Sequence, residues 1–142
     1  MEVTATSELL KIGRVAQESG LPVKTVRYYE ELGLLAPVVE RSEAGYRLFD
    51  PQIFQRLAFI KRAQSLGLSL NEIREVLEIR DRGELPCGKI RQRLEGELRS
   101  IRAKILALET LQFEIEEILS GWQEYPSPER IEETICPNLD EL

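Results

Sequence analysis

Apolar side chains recur at alternating four- and three-residue steps between Gly88 and Gly121. Leu98, Ile105, Gln112 and Leu119 form one seam position, and Leu94, Ile101, Leu108, Ile115 and Trp122 form the other. A pattern sustained over four heptads predicts a helix carrying a coiled-coil stripe. At ~1.5 Å per residue that helix is about 50 Å long. No second long helix is predicted to cover the stripe, which leaves another copy of the same helix as its partner. The chain is therefore expected to be a homodimer. Gln112, the polar residue in the seam, is expected to set register.

Ahead of this rod the apolar spacing breaks into shorter pieces. Met1 to Glu8 shows no periodicity and reads as a frayed leader. Ile12, Val15 and Ala16 share a helical face, Gly20-Leu21-Pro22 interrupts it, and Val23 to Leu32 follows as a second helix with Val26, Tyr29 and Leu32 inward and Gly33 as its C-cap. Two short helices around a Gly-containing turn predict a helix-turn-helix, whose second helix would enter a major groove. Its outward side is Lys24, Thr25, Arg27 and Tyr28, two cations, a hydroxyl and a phenol suited to phosphates and base edges. Tyr29 is expected inward and Tyr28 outward.

From Leu34 to Phe49, apolar residues flank the polar run Glu40-Arg41-Ser42-Glu43-Ala44-Gly45, predicting a hairpin with a polar tip. Such a hairpin behind a helix-turn-helix is a wing, with Arg41, Tyr46 and Arg47 placed toward the nucleic-acid backbone. Asp50-Pro51 predicts the start of a third helix reaching about Leu66, with Ile53, Leu57 and Ile60 inward. Ser69, with Glu72 three residues on, predicts a capping box opening a fourth helix over Leu70 to Arg80. Arg56, Lys61, Arg62 and Arg74 are assigned to the solvated side. Beyond the rod, Ser127 is placed to cap a short helix through Thr134 before Ile135-Cys136-Pro137.

Charge changes meaning once it is divided along the chain. The formal net charge is -6, which would disfavour a nucleic-acid partner if evenly spread. Leu9 to Arg80, however, carries eleven Lys and Arg against nine Asp and Glu, whereas Asp81 to Leu142 carries eight against fourteen. The acid lies in the rod and tail, so local basic clustering decides what the head can bind. No signal peptide and no membrane-spanning run is evident, and the expected location is the cytoplasm. Histidine is absent, and no nucleophile-base pair, nucleophile elbow or phosphate loop is found, so the chain is not read as an enzyme. The two cysteines, in a reducing compartment, are expected as free thiols or ligands.

Lys11-Ile12-Gly13 with Val15-Ala16, Thr25-Val26-Arg27-Tyr28-Tyr29-Glu30, Gly33-Leu34-Leu35 and Gly45-Tyr46-Arg47 closely resemble, in order and spacing, the DNA-binding head of the MerR family of bacterial transcriptional regulators, and nearly the whole chain resembles its metal-responsive branch. The resemblance implies a mainly α fold: a winged helix-turn-helix head over 9–50, connecting helices over 51–86, an antiparallel coiled-coil dimerisation helix over 87–122, and an effector loop and tail over 123–142. It implies a palindromic promoter operator in double-stranded DNA, contacted by Lys24, Thr25, Arg27 and Tyr28 and by the wing residues Arg41, Tyr46 and Arg47. It also implies that effector binding untwists bent DNA so that RNA polymerase engages both promoter elements. Bending a site costs on the order of 1 to 6 kcal/mol, and the effector must supply a differential of that size.

In metal-responsive members a cysteine at the start of the dimer helix joins ligands from the other protomer's tail loop. Cys87 matches the first position and Cys136 resembles the last loop cysteine. Many relatives have a further ligand upstream, yet nine residues before Cys136 this chain has Ser127. The donor set is thus two cysteine sulfurs and no imidazole. Two thiolates suit a soft ion content with linear coordination, and a cysteine rather than serine at Cys87 implies the divalent class by resemblance. Hg(II) ranks first. Zinc, cadmium or lead completed by water or by Glu133 or Asp140 follows, then Cu(I). Two rival readings stand beside this one: a thiol/disulfide trigger with the same head, and a coiled-coil module whose head binds protein.

Overall fold

The computed structural model describes residues 8–140, so the leader expected over Met1 to Glu8 lies, but for Glu8, outside the described residues. Leu10–Lys11 (β1) leads into α1 (Ile12–Ser19) and α2 (Val23–Glu31), then a 3-10 turn over Ala36–Val38 and the strands β2 (Val39–Arg41) and β3 (Arg47–Phe49). Helices α3 (Ile53–Ser65), α4 (Leu70–Asp81), α5 (Cys87–Ser120) and α6 (Pro128–Glu133) complete the chain. The expected mainly α fold with a winged head is what the structure has. The chain divides into two compact units, one ending at Glu97 and one beginning at Leu98.

In the first unit, buried side chains come from helices α1 to α4 and from β3 in the periodic positions. Val15 and Ala16 of α1, Val26 and Tyr29 of α2, and Ile53, Leu57 and Ile60 of α3 meet Phe49 of β3 and Ile73 and Leu77 of α4 in one core. Leu34 and Leu35, just past α2, are fully buried. Gly33 adopts φ +82, the left-handed conformation that ends α2. Ser69 and Glu72 form the reciprocal capping box expected of them: the Glu72 amide donates to Ser69 Oγ at 3.1 Å and the Ser69 amide to Glu72 Oε1 at 2.9 Å. Such a cap is worth about 1 kcal/mol.

The structure departs from the sequence reading at several element ends. β1 was not anticipated; it pairs antiparallel with β3, Leu10 opposite Phe49, in a sheet of order β1-β3-β2. The apolar residues before the wing form the 3-10 turn and only Val39 onward is strand. α3 starts at Ile53, not at Pro51, because Asp50 Oδ1 takes the Gln52 amide and the Asp50 carbonyl takes the Ile53 amide, making a turn ahead of the helix. Ser127 stands at the N-cap of α6 without a side-chain cap bond. Trp122 lies past the end of α5, so the seam stops at Leu119.

Arg56 is the clearest correction. It belongs not to the solvated side but to the interior edge of α3, its side chain only 10% exposed and paired with Asp81. Lys61, Arg62 and Arg74 are exposed as expected. The first turns of α5 are tied to α4 by ion pairs of Arg93 with Glu72 and Glu75. Farther along, α5 has no buried residue at all. Leu108 is 65% exposed, and Leu98, Ile101, Ile105, Ile115 and Leu119 are likewise open. An apolar stripe this long on a single helix is a surface without its cover.

Candidate nucleic-acid interface and thiol positions

Gly20, at φ +75, ends α1 and turns the chain into α2, whose first carbonyl partner is Pro22. Pro22 lies just ahead of the first helical residue, where its fixed φ and missing amide cost nothing. Helical spacing then splits α2 into two sides. Val26 and Tyr29 are buried, and the Tyr29 hydroxyl donates to Gln64 Oε1 at 2.7 Å. Burial raises the Tyr29 pKa above its ordinary value. Lys24, Arg27 and Tyr28 are exposed, and Thr25 is half-buried beside them.

The wing is a tight hairpin built by its own polar residues. The Ser42 amide donates to the Tyr46 carbonyl at 2.9 Å, the Tyr46 amide to Ser42 Oγ at 3.0 Å, and Gly45 takes φ +88 at the tip. Arg41 Nη1 donates across the tip to the Gly45 carbonyl at 2.9 Å. Arg41 and Tyr46 are exposed. Arg47 is half-buried, because its Nε donates to Glu30 near the end of α2. Through this ion pair the wing strand and the outward helix are held as one surface.

One member of that surface escaped the sequence reading as a site residue. Lys11, exposed on β1, sets its ammonium 5.1 Å from the centre of the Tyr46 ring, a cation–π distance. The pairing of Lys11 with Leu48 brings it beside the wing. Two residues of strand carry no periodicity by which this could have been read.

Cys87 is the first residue of α5 and exposed; Cys136 is half-buried in the loop after α6, and both are free thiols. The Ile90 amide donates to the Pro86 carbonyl at 2.9 Å, so Cys87 occupies the first turn, where amides have no helical acceptor. Around Cys136 the loop is closed by side chains. Asn138 accepts from the Gln123 amide at 2.8 Å and donates to the Gln123 carbonyl at 3.0 Å. Asp140 Oδ2 accepts from the Ile135 amide at 2.7 Å, and Arg130 Nη2 donates to the Pro137 carbonyl at 2.9 Å.

Among the described residues, no three His, Cys, Asp or Glu side chains of one chain gather closely enough to hold a metal ion. A thiolate pair nonetheless fits a soft ion. Asp140, considered above as a completing ligand, has one carboxylate oxygen committed to closing the loop. No helix among the described residues is long and apolar enough to cross a membrane.

Comparison with known proteins gives the following. The family model described as MerR HTH family regulatory protein matches residues 10–79, and that described as MerR, DNA binding matches residues 54–118. A mercuric resistance operon regulatory protein of Bacillus cereus is 39% identical over 132 residues, covering 93% of this chain and 96% of its own length. The transcription regulator PbrR691 of Ralstonia metallidurans in complex with lead(II) is 36% identical, with a TM-score of 0.71 over 83% of this chain and 91% of that one. HiNmlR, a MerR family regulator lacking the sensor domain and bound to promoter DNA, is 25% identical, with a TM-score of 0.54 over 80% of this chain and 89% of that one.

Proposed function

This chain belongs to the MerR family of helix-turn-helix regulatory proteins, and on that footing we propose that it is a homodimeric regulator that binds promoter DNA through α2 and the wing and is switched by a soft heavy metal, Hg(II) first. Relatives named as transcriptional regulators make it a regulator and not an enzyme. The observation that carries the dimer is the uncovered seam of α5. Association of two copies removes it from water at about 25 cal/mol per Å² of apolar surface, and antiparallel pairing brings Cys87 of one copy toward Cys136 of its partner.

In this reading Lys24, Arg27, Arg41 and Lys11 neutralise phosphates, while Thr25, Tyr28 and Tyr46 meet sugar, phosphate or base edges. Arg47 serves the interface by holding the wing to Glu30. Cys87 and Cys136 are the ligands. Cys87 of one copy and Cys136 of its partner would hold a soft ion through their two thiolates, which would tie the protomers to each other at the end of α5. Support for mercury comes from the donor set and from the named function of the Bacillus cereus relative; the lead(II) complex of PbrR691 supports a soft or borderline divalent ion more broadly. Zinc, cadmium, lead and Cu(I) are the alternatives, and RNA polymerase at the same promoter is the machinery that would read the switch.

The deciding experiment is an anaerobic titration of the reduced dimer with Hg(II), following metal-thiolate absorbance and stoichiometry, with Cys87→Ser and Cys136→Ser alongside. One ion per Cys87–Cys136 pair, lost in either variant, is expected. No tight binding of any of these metals, combined with a disulfide-linked dimer on treatment with diamide, would replace the metal trigger with oxidation.

A further inference from the structure

The guanidinium of Arg56 is engaged on three sides. Its Nε donates to the carbonyl of Leu34, while Nη1 and Nη2 donate to the two carboxylate oxygens of Asp81 at 2.8 and 2.9 Å. Leu34 is fully buried and follows Gly33, where the chain leaves α2. Asp81 is the last residue of α4, six positions before Cys87. One planar group on α3 therefore grips both the exit of the helix that faces DNA and the element that leads to the thiol.

Its surroundings divide into rigid and yielding parts. The inward faces of α3 and α4 are buried in the common core, and such cores pass displacement on with little loss. Between α4 and α5 the chain is irregular, with Gly83 at φ +88. Alongside lies a groove of about 490 Å³ whose lining includes Val38, Phe59, Leu77, Asp81 and Pro86. The junction before Cys87 thus has room to move, and Asp81 is the point at which that movement meets a fixed, bidentate fork. A bidentate guanidinium–carboxylate pair constrains angle as well as distance, which a single hydrogen bond does not.

We propose that Arg56 is a positioning residue of the switch: through Asp81 it takes up displacement of the α4–α5 junction and passes it to the exit of α2 through the Leu34 carbonyl. This rests on the effector reading given above. Severing Arg56 from Asp81 leaves metal binding and DNA binding each intact and disconnects one from the other. A merely structural ion pair would alter stability, or DNA affinity with and without metal alike, without touching the connection.

The test uses full-length dimers on promoter DNA that the wild-type protein selects from a random duplex pool, with 2-aminopurine at the duplex centre to report distortion. Wild type, Asp81→Asn and Arg56→Lys are compared with and without Hg(II). Asp81→Asn keeps Arg56 and its bond to Leu34, so the fold persists even where Arg56→Lys unfolds. In Asp81→Asn the expected result is unchanged mercury stoichiometry, unchanged affinity for DNA without mercury, and loss of the mercury-induced fluorescence change. A full fluorescence change in this variant overturns the proposal, as does loss of either binding activity. A wild-type protein that binds mercury and DNA but gives no fluorescence change fails at the effector reading itself, which separates the two.

Discussion

Arg47 on β3 and Glu30 near the end of α2 form a half-buried ion pair, their side chains 24% and 22% exposed. One edge of the wing arginine, its Nε, is thereby engaged with α2. Glu30→Gln removes a negative charge from a surface proposed to bind DNA, which by charge alone should tighten binding. The pairing leads to the opposite expectation: affinity falls because the wing loosens against α2, and the slope of affinity against salt is unchanged. Arg47→Ala weakens binding and leaves the dimer intact, and the double variant is no worse than the weaker single one. Tighter binding by Glu30→Gln in a salt-dependent titration would mean that Arg47 swings out to DNA.

The stripe on α5 predicts its own disruption. Leu108, 65% exposed in one chain, occupies a central seam position, and in an antiparallel pair each substitution is made in both copies of the helix. Burying a leucine contributes about 1.5 to 3 kcal/mol, and a carboxylate there would be desolvated without a partner. Leu108→Asp is expected to sediment as a monomer at micromolar concentration. Gln112→Leu is expected to raise the stability of the dimer while weakening its register. A Leu108→Asp protein that remains dimeric would remove the seam from the interface.

Amphipathic spacing made α2, α4 and α5 legible to within a residue or two, and the Ser69–Glu72 pair announced its cap. These features depend on residues close in sequence. What could not be read depends on distant ones. β1 is two residues long, and only pairing with β3 makes it a strand. Asn138 meets Gln123 fifteen positions away without any pattern that links them. Arg56 was legible in principle: three residues after Ile53 and four before Ile60, it sits at the edge of the inward face of α3. Its charge argued for solvent, and the carboxylate that overrides this comes from the far end of α4. The thiols at 87 and 136 and a loop around the second were visible at once, but the side-chain bonds that close that loop were not.

Tyr29 gives the head a dependence on alkaline pH. Its hydroxyl donates to Gln64, and burial raises its pKa. The neutral phenol is favoured in the folded state, so the folded value lies above the unfolded one. Its stabilising contribution is complete below the unfolded value of about 10 and declines as pH climbs through the folded value. Tyr29→Phe should cost about 1 kcal/mol near neutrality through the lost hydrogen bond. It should also flatten the decline in melting temperature above about pH 10. Thermal melts of both proteins across that range, at matched dimer concentration, test both parts.

Asn138 offers a way to probe the tail without touching a thiol. Its side-chain amide pairs with both the amide and the carbonyl of Gln123, and Asp140 and Arg130 close the rest of the loop around Cys136. Asn138→Ala removes the two bonds that fix one side of that loop while leaving Cys87 and Cys136 in place. If the loop preorganises Cys136 as a ligand, the ordering cost moves from folding to metal binding. Mercury stoichiometry should then be unchanged and affinity lower by roughly 10- to 100-fold, the usual loss for groups that orient a ligand without touching the ion. Competition against a small dithiol of known mercury affinity measures this directly. An unchanged affinity would mean that Cys136 is ordered by the metal rather than by the loop.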